Sequence, residues 1–246
     1  GTYIGMLGGT DPAAKVLFAT HLLSASVMAV PGSIVLAKML CPQTEEATDH
    51  VAISGKEKEN SNILDAISSG TVTGVKLMTN IAAMLLVFIS LVALANYITE
   101  GVIGRYTGLN DWIVKITDGK AQGLTFQFIL GVITSPFMWL IGVPSQDIML
   151  VGSLLGQKTI LNEFVAYFQL QQWKDAGLFM YEKSILMSTY ILCGFANISS
   201  IGILLGGLGV LAPEKRGLIS RIGLPAMIGG ALVSVLSATI IGMILG

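Results

Sequence analysis

Lys158-Thr159-Ile160-Leu161-Asn162-Glu163-Phe164-Val165-Ala166-Tyr167 is the stretch on which the reading of this chain turns. Glu163 is the only charged residue between Lys158 and Lys174. A lone carboxylate in an apolar run of a membrane protein is costly to bury, and it marks binding, proton relay or coupling. The alternatives are a carboxylate at the water interface, or one neutralised by Lys158.

A membrane is what the composition indicates. Hydrophobic residues make up 53% of the 246 residues and charged residues only 12%. Mean hydropathy is +0.75. A soluble domain carries about 25% charge. Five uncharged runs, 16–37, 77–99, 121–146, 184–213 and 222–246, each exceed the roughly 20 residues that a spanning helix needs. A soluble chain of this length breaks its apolar runs with polar faces. The fold class read from this pattern is an all-α polytopic membrane protein.

Not every run reads as a span. Gly123, Gly131, Pro136, Gly142 and Pro144 crowd 121–146 and predict a bent or interfacial segment. Residues 148–173 read as two short apolar helices meeting near Asn162-Glu163. Such re-entrant elements are tolerated only where protein or a wet cavity surrounds them. The run 184–213 holds Asn197, Ser199 and Ser200 within four residues, which predicts a helix broken at mid-depth rather than a close-packed one. The first span opens at Asp11-Pro12. It carries His21, which is expected at the interface rather than as a proton relay. Residues 41–61 read as a soluble loop that includes His50, and 62–75 as an amphipathic helix lying on the surface. The run 77–99 reads as an ordinary span, with Met78, Leu85, Leu86, Phe88, Leu91 and Leu94 against lipid or partner helices. Residues 100–120 read as a polar connection, and 222–246 as a packing helix.

Charge and cysteine content narrow the function. Net charge is −1, and no basic block offers a nucleic-acid surface. Cys41 and Cys193 form neither a CxxC pair nor a disulfide framework. No HExxH or G-x-S-x-G motif supports an enzyme. Lys56, Lys58, Lys215, Arg216 and Arg221 place two loops in the cytoplasm. On that count 121–173 makes no net crossing, although Arg105, Lys115 and Lys120 would then lie outside. The abrupt apolar ends, Gly1 to Gly8 and Ile244 to Gly246, carry the expectation that more chain precedes Gly1.

Gly156-Gln157-Lys158 followed by Asn162-Glu163-Phe164-Val165-Ala166-Tyr167 fits the pattern G-x-K-x-x-x-N-E-F-V-A-[Y/M/F]. This resembles the signature of the concentrative nucleoside transporters. Cys193-Gly194-Phe195-Ala196-Asn197-Ile198-Ser199-Ser200-Ile201 resembles the CGFAN-x-SSI segment of the same family, followed by Gly206-Gly207-Leu208-Gly209 and Ala212-Pro213. Ala29-Val30-Pro31-Gly32 and Lys38 resemble the span before its cytoplasmic loop.

The resemblance implies half of an inverted-repeat transporter. Residues 1–40 would be the end of a broken helix and a span, 41–75 a loop with an interfacial helix, and 76–104 a scaffold helix near a trimer axis. Residues 121–246 would be the second transport repeat, with a surface segment, a re-entrant hairpin at 145–173, a broken helix at 181–211 and a last span at 216–246. It further implies sodium- or proton-coupled symport of a nucleoside, as a homotrimer in the plasma (inner) membrane, with no cofactor. The first hairpin, with its G-Q-T-E-A-P motif, has no counterpart in this chain. In sodium-coupled members the ion site and the base-reading groups lie in that other half. Glu163, Asn197 and Ser200 would contact the ribose and Phe195 would wall it. Gly156, Lys158, Asn162 and Phe164 would shape the hairpin, with Lys158 also balancing Glu163. A carboxylate suits vicinal hydroxyls because it accepts two charge-assisted hydrogen bonds. Two rivals remain open at this point: an intramembrane enzyme pairing Glu163 with His21, and a purely structural or partner-binding membrane domain.

Overall fold

The computed structural model describes residues 1–42, 62–117, 119, 121–202 and 215–246. The loop with His50, Lys56 and Lys58, and the stretch holding Gly206, Gly207, Gly209 and Pro213, lie outside them, as do Lys120 and the side chains of Leu85 and Phe88. Among the described residues the fold is wholly helical.

Helix α1 (Thr2–Gly8) is followed by α2 (Pro12–Leu40), α3 (Ile63–Asn96), a π-helical stretch (Tyr97–Gly104) and α4 (Leu109–Ile116). Then come α5 (Phe126–Leu140), α6 (Ile148–Ile160), α7 (Glu163–Asp175), α8 (Glu182–Leu192) and α9 (Arg216–Ile244). A further helical turn occupies 198–202. Helices α2 and α9, at 29 residues each, are long and apolar enough to cross a membrane. Helices α5, α6 and α7, at 15, 13 and 13 residues, fall short of the roughly 20 that a crossing needs.

Local sequence sets most helix starts. The Asp11 carboxylate accepts from Ala13 N at 2.9 Å, and Pro12 sits at the first helical position, where its missing N–H costs nothing. Asn62 and Asn162 each accept from the N–H three residues on, and Thr125 does the same for Phe128.

Two elements differ from the sequence expectation. Residues 62–75 and 77–99 are not a surface helix and a separate span. They form one 34-residue helix, α3, capped by Asn62. Without a proline, the two glycines Gly70 and Gly74 lower helix propensity without removing a backbone donor, so the ladder continues. The connection at 100–120 is also largely helical. The Asn110 amide donates to Glu100 O and accepts from Leu124 N, both at 2.9 Å, and so stitches the π-helical stretch to the entry of α5.

The hairpin α6–α7 lies at the centre. Helix α6 packs on α5 through glycines. A Cβ at Gly156 would stand 2.6 Å from Leu130 Cβ, and one at Gly131 would stand 2.8 Å from Met149 O. Small residues allow this approach of backbones. Val151, Leu154, Ala166, Tyr167, Leu170, Met187, Ile191 and Leu192 form the core between the hairpin and α8, and Phe18, Ala25, Ala238 and Ile241 of α2 and α9 close it. The base of the hairpin is fastened as well. Asp147, fully buried, accepts from Met180 N at 3.0 Å and Tyr181 N at 3.1 Å, just before α8 begins. By contrast Met78, Leu86, Leu91 and Leu94 of α3 are all more than half exposed.

These contacts separate two kinds of glycine. Gly156→Ala should destabilise the protein by about 1–3 kcal/mol, because the new methyl has nowhere to go. Gly70→Ala, with nothing within 4 Å of the added carbon, should be stabilising by about 0.4–1 kcal/mol. Thermal unfolding of the two purified variants in detergent measures both signs.

Candidate functional site

Helix α8 stops at Leu192 inside the protein, and the chain is unwound from Cys193 to Asn197 before the turn at 198–202. A helix end leaves its last four carbonyls without intrahelical partners, and a buried one must find them elsewhere. Each of the four is satisfied. The Tyr167 hydroxyl donates to Thr189 O at 2.8 Å. Cys193 N donates to Tyr190 O at 3.1 Å, and Gly194 N to Leu192 O at 2.8 Å. The Lys158 ammonium donates to Ile191 O at 2.7 Å. Thus each arm of the hairpin supplies one side chain, Lys158 from α6 and Tyr167 from α7, to the broken end of α8. A cation there also complements the negative end of the helix dipole.

The tip of the hairpin holds the other side of the break. Glu163 is the first residue of α7 and only 7% exposed. The Asn197 amide donates to Glu163 Oε2 at 2.9 Å. Asn197 Oδ1 accepts from Ser200 N and Ser199 Oγ, both at 2.7 Å, and so caps the turn at 198–202. On the other carboxylate oxygen, Tyr3 OH lies 3.5 Å from Glu163 Oε1, and the Tyr3 ring stacks on Tyr167 with centroids 4.2 Å apart. Glu163 Oε1 is therefore the loosely held oxygen of the pair.

The residues expected at the site do not all converge. Glu163 and Asn197 are in direct contact. The Ser200 hydroxyl folds back to donate to Asn197 O at 2.6 Å instead of turning to Glu163. Phe195 is 74% exposed. Phe195 and Ser200 line a largely apolar cavity of about 360 Å³ between α2, the unwound segment and α9, and neither Glu163 nor Asn197 reaches its wall. Among the motif positions, Gly156 packs on α5 and Asn162 caps α7. Phe164 is 41% exposed and lies outside the core. Lys158 forms no ion pair with Glu163. It is fully buried and turns instead to Ile191 O and, at 3.0 Å, to Ser234 Oγ of α9. The two opposite charges make no direct hydrogen bond, yet they still attract each other through space.

His21 is partly buried against Tyr190. Its Nδ1 lies 3.1 Å from Tyr190 OH, with the two rings edge to face. Tyr3, Tyr167 and Ser234 were missed as contributors. Tyr167 stood at the end of the quoted motif. Tyr3 and Ser234 lie in apolar helices whose few hydroxyls carry no pattern.

A hairpin of two short helices gripping a broken helix, flanked by long apolar helices, defines a polytopic helical membrane protein of the broken-helix transporter class. Residues 21–242 match the family described as the C-terminus of Na+ dependent nucleoside transporters, and the chain belongs to that family. It is 38% identical to an uncharacterized transporter of Haemophilus influenzae over 98% of this chain and 58% of that protein. It is 36% identical to the nucleoside permease NupC of Helicobacter pylori over 92% of this chain and 51% of the permease. A solved structure of CNTnw in an inward-facing substrate-bound state superposes with a TM-score of 0.74 at 33% identity, covering 100% of this chain and 57% of that one. The chain thus spans about half the length of these relatives. They are transporters, not enzymes, and in this chain Glu163 and His21 contact Asn197 and Tyr190, not each other.

Removing the Tyr167 hydroxyl isolates one of the four caps. Tyr167→Phe leaves Thr189 O buried without its donor and should cost about 1–3 kcal/mol of stability. Tyr3→Phe, which removes only a long contact at a partly buried position, should cost less than half as much in the same thermal melts.

Proposed function

We propose that this chain is the ribose-binding C-terminal part of an ion-coupled nucleoside transporter of the plasma (inner) membrane. Glu163 at the hairpin tip is its principal substrate ligand. The observation that carries this reading is the Glu163–Asn197 contact across the break of α8. One carboxylate oxygen is held by Asn197, while among the described residues the side chain that reaches Oε1 is Tyr3 at a long 3.5 Å, so a substrate hydroxyl can take it. A vicinal diol donates well to a carboxylate, and the bond is charge-assisted. Asn197 adds amide donor and acceptor capacity beside it, Ser200 a hydroxyl, and Phe195 an apolar face. The two serine and phenylalanine positions join Glu163 only if the unwound segment shifts as substrate enters.

Supporting the substrate class, the matched relatives include proteins named nucleoside permease and sodium/nucleoside cotransporter. The coupling ion is sodium or the proton. The Na+ dependent family description and the rat sodium/nucleoside cotransporter 1, 38% identical over 92% of this chain, favour sodium. The assembly is proposed as a homotrimer in the bilayer, with the exposed apolar face of α3 available to scaffold contacts.

The test is uptake of labelled uridine and adenosine by the full-length protein in proteoliposomes under sodium or proton gradients. Glu163→Gln should lower apparent affinity roughly 10- to 100-fold, the size expected for losing a charge-assisted hydrogen bond. Uptake unchanged by this variant removes Glu163 from the site. Nucleosides lacking the 3′-hydroxyl should be taken up more weakly than their parents, since the site's own acceptor is then left unpaired. Equal uptake would contradict ribose recognition by this half.

A further inference from the structure

The fully buried Lys158 ammonium is surrounded by neutral oxygens. It donates to Ile191 O at 2.7 Å and to Ser234 Oγ at 3.0 Å, and Ser234 Oγ in turn donates to Gly230 O at 3.2 Å. The backbone of the break closes around it. A Cβ on Gly194 would stand 2.9 Å from Ser234 Oγ and 3.7 Å from Lys158 Nζ. No carboxylate pairs with the ammonium among the described residues. What touches the charge is a carbonyl from the last turn of a half-helix and a hydroxyl, with the negative end of the helix dipole and the more distant Glu163 carboxylate adding attraction through space. That is the chemistry with which broken helices bind monovalent cations: unwound carbonyls and half-helix C-terminal ends.

We propose that Lys158 is a tethered cation filling a monovalent-cation position at the break of α8, so that the clamp between hairpin and broken helix needs no free ion there. Shortening the side chain opens the position, and a free monovalent cation enters it. This goes beyond the transport reading and does not rest on it. Its test needs no nucleoside.

The experiment is thermal unfolding of the purified full-length protein, without nucleoside. The salts are choline, sodium, potassium or methylammonium chloride at equal ionic strength. The proteins are the wild type, Lys158→Ala, Lys158→Met and the double variant Lys158→Ala/Ser234→Ala. In choline, Lys158→Ala melts below the wild type. Saturation with a small cation at about a hundred times its dissociation constant should raise the melting temperature by roughly 2–4 °C beyond any rise the wild type shows. Lys158→Met, which fills the space without charge, should gain nothing beyond the wild-type response. Loss of Ser234 should cut the recovery of the alanine variant by more than half. The proposal is overturned if Lys158→Ala responds no more than the wild type to every cation, if it fails to fold in all of them, or if Lys158→Met recovers equally. A purely structural role for Lys158 would give one of those outcomes. Failure here would leave the uptake experiment and its reading of Glu163 untouched.

Discussion

A helix that ends inside a water-poor interior leaves carbonyl oxygens with no partner, and that cost governs the centre of this protein. The last turn of α8 ends at Leu192 with Thr189, Tyr190, Ile191 and Leu192 all presenting free carbonyls. Two are met by the N–H groups of the unwound segment itself, and two by Tyr167 and Lys158 of the hairpin. The break and the hairpin are therefore one structural unit. Neither can be built without the other, because the hairpin supplies donors that the broken helix lacks. In return α8 buries a lysine that would be intolerable alone.

The same unit arranges the candidate site. Once Lys158 and Tyr167 hold the hairpin against α8, the first residue of α7 must face the far side of the break. Glu163 meets Asn197 there, and Asn197 is itself occupied in capping the turn at 198–202. The carboxylate thus arrives with one oxygen bound and one loosely held, in a position set by backbone instead of by a flexible loop. Glycine contacts at Gly131, Gly152 and Gly156 bring α5 close enough to α6 to leave the hairpin little room to tilt. Asp147 fixes its base against the entry of α8. Preorganisation of this kind matters for a polar ligand, since it spares the site the ordering cost at the moment of binding.

Much of this was legible in sequence wherever a local rule applied. The helix starts at Asp11-Pro12 and the Asn162-Glu163 tip are short-range events, written in residues that bond their own neighbours. The long apolar runs told of a membrane because hydropathy is additive along the chain. Errors came where two local signals competed. A charge-bounded amphipathic reading split α3 at residue 76, although nothing in Ile63–Asn96 removes a backbone donor. Polarity suggested a loose connection at 100–120, but Asn110 turns that polarity inward as a staple. Charge proximity linked Lys158 with Glu163; the two do attract through space, but each makes its direct hydrogen bonds to a different partner.

By itself the sequence determined the class of protein, the positions of its breaks and caps, and the motifs that tie it to a family, because each depends on composition or on neighbours a few residues apart. Which hydroxyl serves which carbonyl was decided only in three dimensions. Tyr3 reaches Glu163 across 160 positions, and Ser234 reaches Lys158 across 76. Such pairings follow from how α1 and α9 dock on the hairpin, and docking is set by the summed shape of many apolar side chains. No single residue encodes that shape, so a lone hydroxyl in an apolar helix shows its purpose only when the helix is in place.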